Sequence, residues 1–91
     1  IPGLKVICPA TIEDAYGLLR AAIDDPNPVI FVEHKALYPS KGVLPDTPSP
    51  QPIGKARTVR PGSDVTLLSY GGMMREAVKA TDELAGEGLS V

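Results

Sequence analysis

A run of prolines in the middle of the chain divides it into two patterned halves. Residues 39–52 (PSKGVLPDTPSPQP) follow neither a helical nor a strand period and hold many of the ten prolines of this 91-residue chain. Proline lacks an N–H donor and disfavours a helical conformation in the residue before it. The sequence therefore predicts an extended linker over residues 39–52, between a first half at 1–38 and a second half at 53–91.

The first half has the pattern of a strand, a helix and a second strand. Residues 4–8 are a short apolar strand closed by Pro9, and residues 29–32 are a continuous apolar run typical of a buried strand. Thr11 is placed to cap a helix that the segment Asp24–Pro28 ends. One apolar face recurs at helical spacing through Ala15, Leu18, Leu19, Ala22 and Ile23. Together these elements have the size of a β-α-β unit.

The second half predicts the opening of a further α/β unit. Residues 53–59 and 65–70 are predicted strands, joined by a type II turn at 60–63 with Gly62 in its third place. After the Gly71–Gly72 turn, a helix is predicted that ends at Gly88, and residues 89–91 begin another strand. Its apolar face consists of Met74, Ala77, Val78, Thr81, Leu84 and Ala85. The predicted fold class is α/β.

Composition excludes several classes of partner. The net charge of −2, from 9 basic and 11 acidic residues, argues against nucleic acid as a partner and against a polybasic membrane contact. No apolar run approaches the roughly 18 residues that span a bilayer. A single cysteine excludes an internal disulfide and a cysteine-rich metal site, and it favours a reducing compartment. Without an initiator Met or a signal peptide, the chain is expected to be an internal piece of a longer one.

Few residues qualify as catalytic groups. His34, the only histidine, follows a strand, where sites in parallel sheets gather, yet a loop residue is the preferred interpretation over a general base. Cys8 lies in an apolar strand and is predicted to be an inert buried thiol. Gly71–Gly72 is better explained as a tight turn than as a phosphate-binding loop.

Two charged features remain. Lys55, Arg57 and Arg60 are interpreted as a solvated face or as protection of a strand edge. At the end of the first helix, unpaired carbonyls, Asp25 and Asn27 offer oxygen atoms to a hard cation. A plain Asp-Pro-Asn-Pro turn is the alternative.

An ordered series of segments resembles one enzyme family. The series consists of residues 1–6 (IPGLKV), 14–23 (DAYGLLRAAI), 25–38 (DPNPVIFVEHKALY), 53–56 (IGKA) and 62–71 (GSDVTLLSYG). In this order and spacing they resemble the beta subunit of the thiamine-diphosphate-dependent first component of 2-oxo acid dehydrogenase complexes. This group includes the pyruvate, branched-chain and acetoin dehydrogenases.

The resemblance implies an architecture and an activity. Residues 1–38 correspond to the end of a transketolase-like pyrimidine-binding domain, 39–52 to the interdomain linker and 53–91 to the start of a transketolase C-terminal domain, with mostly parallel sheets. The intact protein is expected to decarboxylate a 2-oxo acid oxidatively, most readily pyruvate, and to pass the acyl group to lipoyl. Another thiamine-diphosphate enzyme, of the transketolase or deoxyxylulose phosphate synthase type, and a non-catalytic interaction module are the alternatives.

The resemblance also implies cofactors, partners and one ion site. Thiamine diphosphate and Mg²⁺ are expected outside this chain, which carries no catalytic or cofactor-binding residue and is inactive alone. The implied partners are an alpha subunit, in an α2β2 heterotetramer, and a lipoyl acyltransferase component, in the cytoplasm or the mitochondrial matrix. A structural K⁺ is implied at Ala22 and Ile23, through their carbonyls, and at Asp25 and Asn27. Pro26 departs from the residues that relatives carry between these last two.

Overall fold

A parallel β-α-β unit forms the first half of the chain. The computed structural model describes all 91 residues. Strand β1 (Lys5–Ile7) leads into helix α1 (Ile12–Asp24), which returns to strand β2 (Val29–Phe31). The two strands pair in parallel, with Lys5 opposite Val29 and Ile7 opposite Phe31. The predicted β-α-β unit is therefore confirmed, with strands one or two residues shorter at their ends than the sequence pattern suggested.

Helix α1 begins with a reciprocal cap. The Asp14 N–H donates to Thr11 Oγ1 at 3.1 Å, and the Thr11 N–H donates to Asp14 Oδ2 at 3.3 Å. Both bonds satisfy backbone donors near the helix start, and Asp14 also places negative charge at the positive end of the helix dipole. The predicted cap at Thr11 is confirmed.

The segment after β2 runs back across α1 without forming regular structure. A single 3₁₀ turn covers Lys35–Leu37, and residues 39–52 contain no helix or strand, as their prolines predict. The Gln51 N–H donates to the Gly17 carbonyl at 3.0 Å, so the segment lies against the middle of α1. Gly17 is buried although its helix is otherwise half-buried or exposed.

Helix α2 (Met73–Gly86) is the one regular element of the second half. The Leu89 N–H donates to the Leu84 carbonyl and the Gly88 N–H to the Ala85 carbonyl, at 3.0 and 3.1 Å. Gly88 has φ +85, the left-handed conformation that this ending requires. The predicted helix and its terminating glycine are confirmed.

The predicted strands of the second half are wrong. Residues 53–59, 65–70 and 89–91 are not strands, because none of them has a neighbouring strand to complete a hydrogen-bond ladder. Ser90 instead accepts at its carbonyl from the Asp64 and Val65 N–H groups, at 2.8 and 3.2 Å.

The predicted type II turn at 60–63 is also wrong. Gly62 does not have the positive φ that the third position of such a turn requires. The absence of a side chain at Gly62 instead permits close packing, because a Cβ there would lie 2.3 Å from the backbone carbon of Val91.

Neither helix is long and apolar enough to cross a membrane.

Candidate cation site

The residues proposed for a cation lie where α1 ends and the chain turns toward β2. Asp25 is the C-terminal cap of α1 in an extended conformation, with φ −77 and ψ 130. Its Oδ1 accepts from the Asn27 N–H at 2.9 Å and from Asn27 Nδ2 at 3.1 Å. Its Oδ2 forms an ion pair with Lys5 Nζ. Asp25 and Asn27 are thus brought together, and Lys5 of β1 joins them.

The ionised form of Asp25 is strongly stabilised by its hydrogen-bond donors. The hydrogen bond from Lys5, followed by those from the backbone and side chain of Asn27, lowers the pKa of Asp25 to about 2. The side chain is only 11% exposed, so the carboxylate has little contact with water. Asp25 is therefore ionised throughout the neutral range and is already paired with a cation of the chain itself.

Two carbonyls at the helix end have no helical donor. Pro26 has no N–H to offer the Ala22 carbonyl four residues earlier. The Asn27 N–H, the corresponding donor for Ile23, is taken by Asp25 Oδ1. Since Asn27 also turns its NH₂ group toward Asp25, its amide oxygen is directed elsewhere. The two carbonyls and this amide oxygen are neutral oxygen donors, the kind that hard cations accept.

No conventional metal cluster exists in the structure. No three histidine, cysteine or acidic side chains lie close enough together to hold a metal ion. A site built from carbonyl and amide oxygens beside a single carboxylate suits a monovalent cation better than a divalent one, because divalent cations are generally held by several carboxylates. The assignment of Ala22, Ile23, Asp25 and Asn27 to potassium remains a prediction.

The only histidine and the diglycine turn lie against each other. The Gly72 N–H donates to His34 Nδ1 at 2.9 Å, so this ring nitrogen is an acceptor engaged with the backbone. A Cβ at Gly71 would lie 3.0 Å from Cys8 Sγ, and Gly71 has φ +55. These contacts explain the glycines by close packing, in agreement with the tight-turn interpretation. Cys8 is a free, half-buried thiol.

The arginines after the linker form specific pairs. Arg57 Nη2 donates to Asp14 Oδ1 at 2.9 Å and to Thr11 Oγ1 at 3.3 Å. Arg60 Nη1 donates to Asp82 Oδ1 at 2.6 Å. Edge protection, one of the two interpretations of these residues, is wrong because no strand edge lies there. The sequence did not reveal the pairs, since their partners are 43 and 22 residues away.

A small cavity of about 210 Å³ lies between the start of α1, the end of β2 and the 3₁₀ turn. Its lining includes Glu33, His34 and Tyr38, and six of its eleven lining residues are hydrophobic. Tyr38 Oη donates to Glu33 Oε2 at 2.7 Å, and this bond raises the pKa of Tyr38 above its ordinary value. With Glu33 and no lysine or arginine in its lining, this cavity does not fit a diphosphate group, and it is smaller than typical cofactor pockets.

Comparison with known proteins gives a consistent assignment. Residues 1–41 match the pyrimidine binding domain of transketolase, and residues 54–91 match the transketolase C-terminal domain. The chain is 49% identical over 89 residues to the beta subunit of acetoin:2,6-dichlorophenolindophenol oxidoreductase from Cupriavidus necator, covering 98% of this chain and 26% of that protein. It is 52% identical over 92 residues to the pyruvate dehydrogenase E1 component subunit beta of Rhizobium meliloti, covering 100% and 20%.

The chain belongs to the family of beta subunits of 2-oxo acid dehydrogenase first components. The Bacillus subtilis pyruvate dehydrogenase E1 component subunit beta is a further relative, 44% identical over 98% of this chain. The chain spans about a quarter of the length of the curated relatives it matches. The resemblance and the α/β fold class are confirmed, and the domain boundaries at 38 and 53 remain a prediction.

Proposed function

We propose that the protein containing this chain is a 2-oxo acid dehydrogenase subunit, with pyruvate as the first candidate substrate. The observation that carries the proposal is the ordered match to both transketolase-type domains, supported by 44–52% identity to pyruvate and acetoin enzymes. In this reaction the 2-oxo acid loses CO₂, two electrons reduce the lipoyl disulfide, and the acyl group forms a thioester on one of its sulfurs.

Thiamine diphosphate, with Mg²⁺, supplies the electron sink for decarboxylation when it is bound. The contribution we propose for this chain is the framework of the two domains. The β1–β2 pair forms part of the sheet of the pyrimidine-binding domain, and α2 belongs to the C-terminal domain. The partners we propose are an alpha subunit, in an α2β2 assembly, and a lipoyl acyltransferase. The compartment is the cytoplasm, or the mitochondrial matrix in a eukaryote.

An activity assay on the full-length protein tests this proposal. We expect the full-length protein, combined with its alpha subunit and a lipoyl acyltransferase, to oxidise pyruvate or a branched-chain 2-oxo acid and to acylate a lipoyl domain. The control is the same assay without thiamine diphosphate, which should abolish turnover. Ketol transfer between sugar phosphates in place of 2-oxo acid oxidation would assign the protein to the transketolase type and refute the proposal.

We also propose that K⁺ binds at the end of α1, held by the carbonyls of Ala22 and Ile23 and the amide oxygen of Asn27. Asp25 contributes charge and holds Asn27 in place, because both of its carboxylate oxygens are already engaged. The lack of a helical donor for the two carbonyls supports this role. An ion there would fasten the end of α1 to the start of β2.

Exchanging the salt tests the ion. In the full-length protein, replacing KCl by LiCl or choline chloride at fixed ionic strength should lower the melting temperature. Binding to the folded state alone stabilises it by about 2.7 kcal/mol at a hundred times the dissociation constant. Fixed ionic strength removes general screening as a cause.

Two variants make the salt test specific. Asn27→Ala should abolish most of the difference between the salts, whereas Lys41→Ala in the linker should leave it intact. Equal melting temperatures of the unmodified protein in all three salts would show that residues 25–28 are only a turn.

A further inference from the structure

Two polar contacts cross between the halves of the chain, and each one ends at the start of a helix. His34, from the first half, accepts the Gly72 N–H at the start of α2, at 2.9 Å. Arg57, from the second half, donates to Asp14 Oδ1 at the start of α1, at 2.9 Å. Each half thus supplies one side chain to the beginning of the other half's helix.

At the start of each helix, the side chain from the other half meets a group that is free to form a hydrogen bond with it. Gly72 is the N-terminal cap of α2, and its own N–H lies before the helix with no intrahelical acceptor, so the ring nitrogen of His34 accepts it instead. Asp14 uses Oδ2 to close its own capping box, which leaves Oδ1 for the guanidinium of Arg57. Asp14 is 18% exposed, so this pair is partly shielded from water.

The helices and strands of the two halves do not pack closely on one another. Helix α1 packs on β2 and β1 on β2, whereas α2 has no comparable packing against either element. Hydrogen bonds are directional, with preferred angles above about 150°, so two of them at separate points constrain rotation as well as distance. We propose that His34 and Arg57 form a reciprocal latch that fixes the orientation of the pyrimidine-binding part against the C-terminal part.

The absence of a side chain at Gly72 leaves room for the imidazole of His34. A Cβ at Gly72 would lie 2.2 Å from His34 Nδ1 and 2.4 Å from Cε1, so any side chain there displaces the imidazole. The backbone of Gly72, with φ −63 and ψ −27, is helical and suits alanine. The added methyl group has no room beside the imidazole, so Gly72→Ala is expected to destabilise a chain that has the latch.

A double-mutant cycle on the full-length protein tests the first contact. Gly72→Ala and His34→Ala should each lower the melting temperature by about 2 °C or more. The double variant should lose clearly less than the sum of the two single variants, because the displaced contact is already absent in His34→Ala. His34→Asn should restore stability, since its Oδ1 can take the place of Nδ1 as acceptor. An unchanged or raised melting temperature in Gly72→Ala would overturn the proposal.

Hydrogen exchange reports the contact directly. The amide of Gly72 should exchange about 2- to 10-fold faster in His34→Ala than in the unmodified protein, and the His34→Asn variant should reverse this. Equal exchange in all three proteins would contradict the latch. Because neither measurement uses turnover, failure of the proposed enzymatic activity leaves this test intact.

The second contact has a matched control in the chain. Arg57→Gln should lower the melting temperature, because Asp14 then loses its partner from the second half. Arg60→Gln removes the same charge, yet Arg60 bonds to Thr81 and Asp82 within the second half, so it leaves the latch in place. The exchange rate of Gly72 should rise in Arg57→Gln and not in Arg60→Gln. Equal rates in these two variants would show that the contacts are not coupled.

Discussion

Gly17 has no side chain at the point where the segment after β2 crosses the middle of α1. A Cβ there would lie 2.3 Å from Gln51 Cγ and 3.0 Å from the Ser49 carbonyl oxygen. A glycine inside a helix costs roughly 0.5–1 kcal/mol relative to alanine. The crossing, and the hydrogen bond from the Gln51 N–H to the Gly17 carbonyl, offset this cost.

Gly17→Ala should therefore destabilise the full-length protein although it improves helix propensity. Overpacking costs typically about 1–3 kcal/mol, which exceeds the gain of about 1 kcal/mol from replacing glycine in a helix. Urea unfolding gives the free energy directly. Gly86→Ala is the matched control, because Gly86 also lies in a helix and an added Cβ there meets nothing within 4 Å. A stabilising effect of both substitutions would mean that residues 49–51 do not press on α1.

Single residues were predictable from the sequence only where their partners are close in the chain. The Thr11 cap and the Gly88 helix end each depend on bonds that span three to five residues, and both were predicted. The pairing of Lys5 with Asp25 spans 20 residues and was not predicted. It follows from the parallel register, because Lys5 stands opposite Val29 and so lies beside the loop that precedes β2.

At the scale of elements, helices and strands differ in what they need. A helix closes its hydrogen bonds within itself, so the periodicity of α1 and α2 sufficed to place both of them. A strand closes its bonds on a neighbour, and only β1 and β2 have one. Residues 65–70 have the apolar character of a buried strand, yet Leu68 and Tyr70 are 81% and 73% exposed. Their sequence is suited to a buried strand, but a strand forms only where a neighbouring strand is present to pair with it.

The helix end at residues 22–27 likewise combines a feature that the sequence predicted with one that depends on the fold. The prolines and Asp25 predicted where α1 stops, and the structure ends α1 at Asp24. That the Asn27 N–H turns to Asp25 rather than to the Ile23 carbonyl depends on three-dimensional geometry. The resemblance implied the set of residues for a cation, whereas the engagement of both Asp25 carboxylate oxygens is seen only in the structure.

At the scale of the whole molecule, the chain has very little core. Five of its 91 residues are buried, and Ile7 and Val91 are the only two large apolar ones among them. Apolar side chains that are suited to a sheet interior lie open instead, with Val6 at 61% and Ile30 at 46% exposure. Burial of apolar surface is the main favourable contribution to folding, and the conformational entropy of each ordered residue opposes it.

We therefore predict that these 91 residues do not fold cooperatively by themselves. The two helices and the paired strands bury too little surface to offset the entropy of ordering, and the five ion pairs are largely at the surface, where each contributes at most about 1 kcal/mol. Circular dichroism of the isolated chain should show a gradual, non-sigmoidal loss of helix on heating. The full-length protein, measured in parallel, should show a sharp transition. A sharp transition in the isolated chain, at a monomer mass by sedimentation, would mean that the latch and the β-α-β unit form a self-sufficient core.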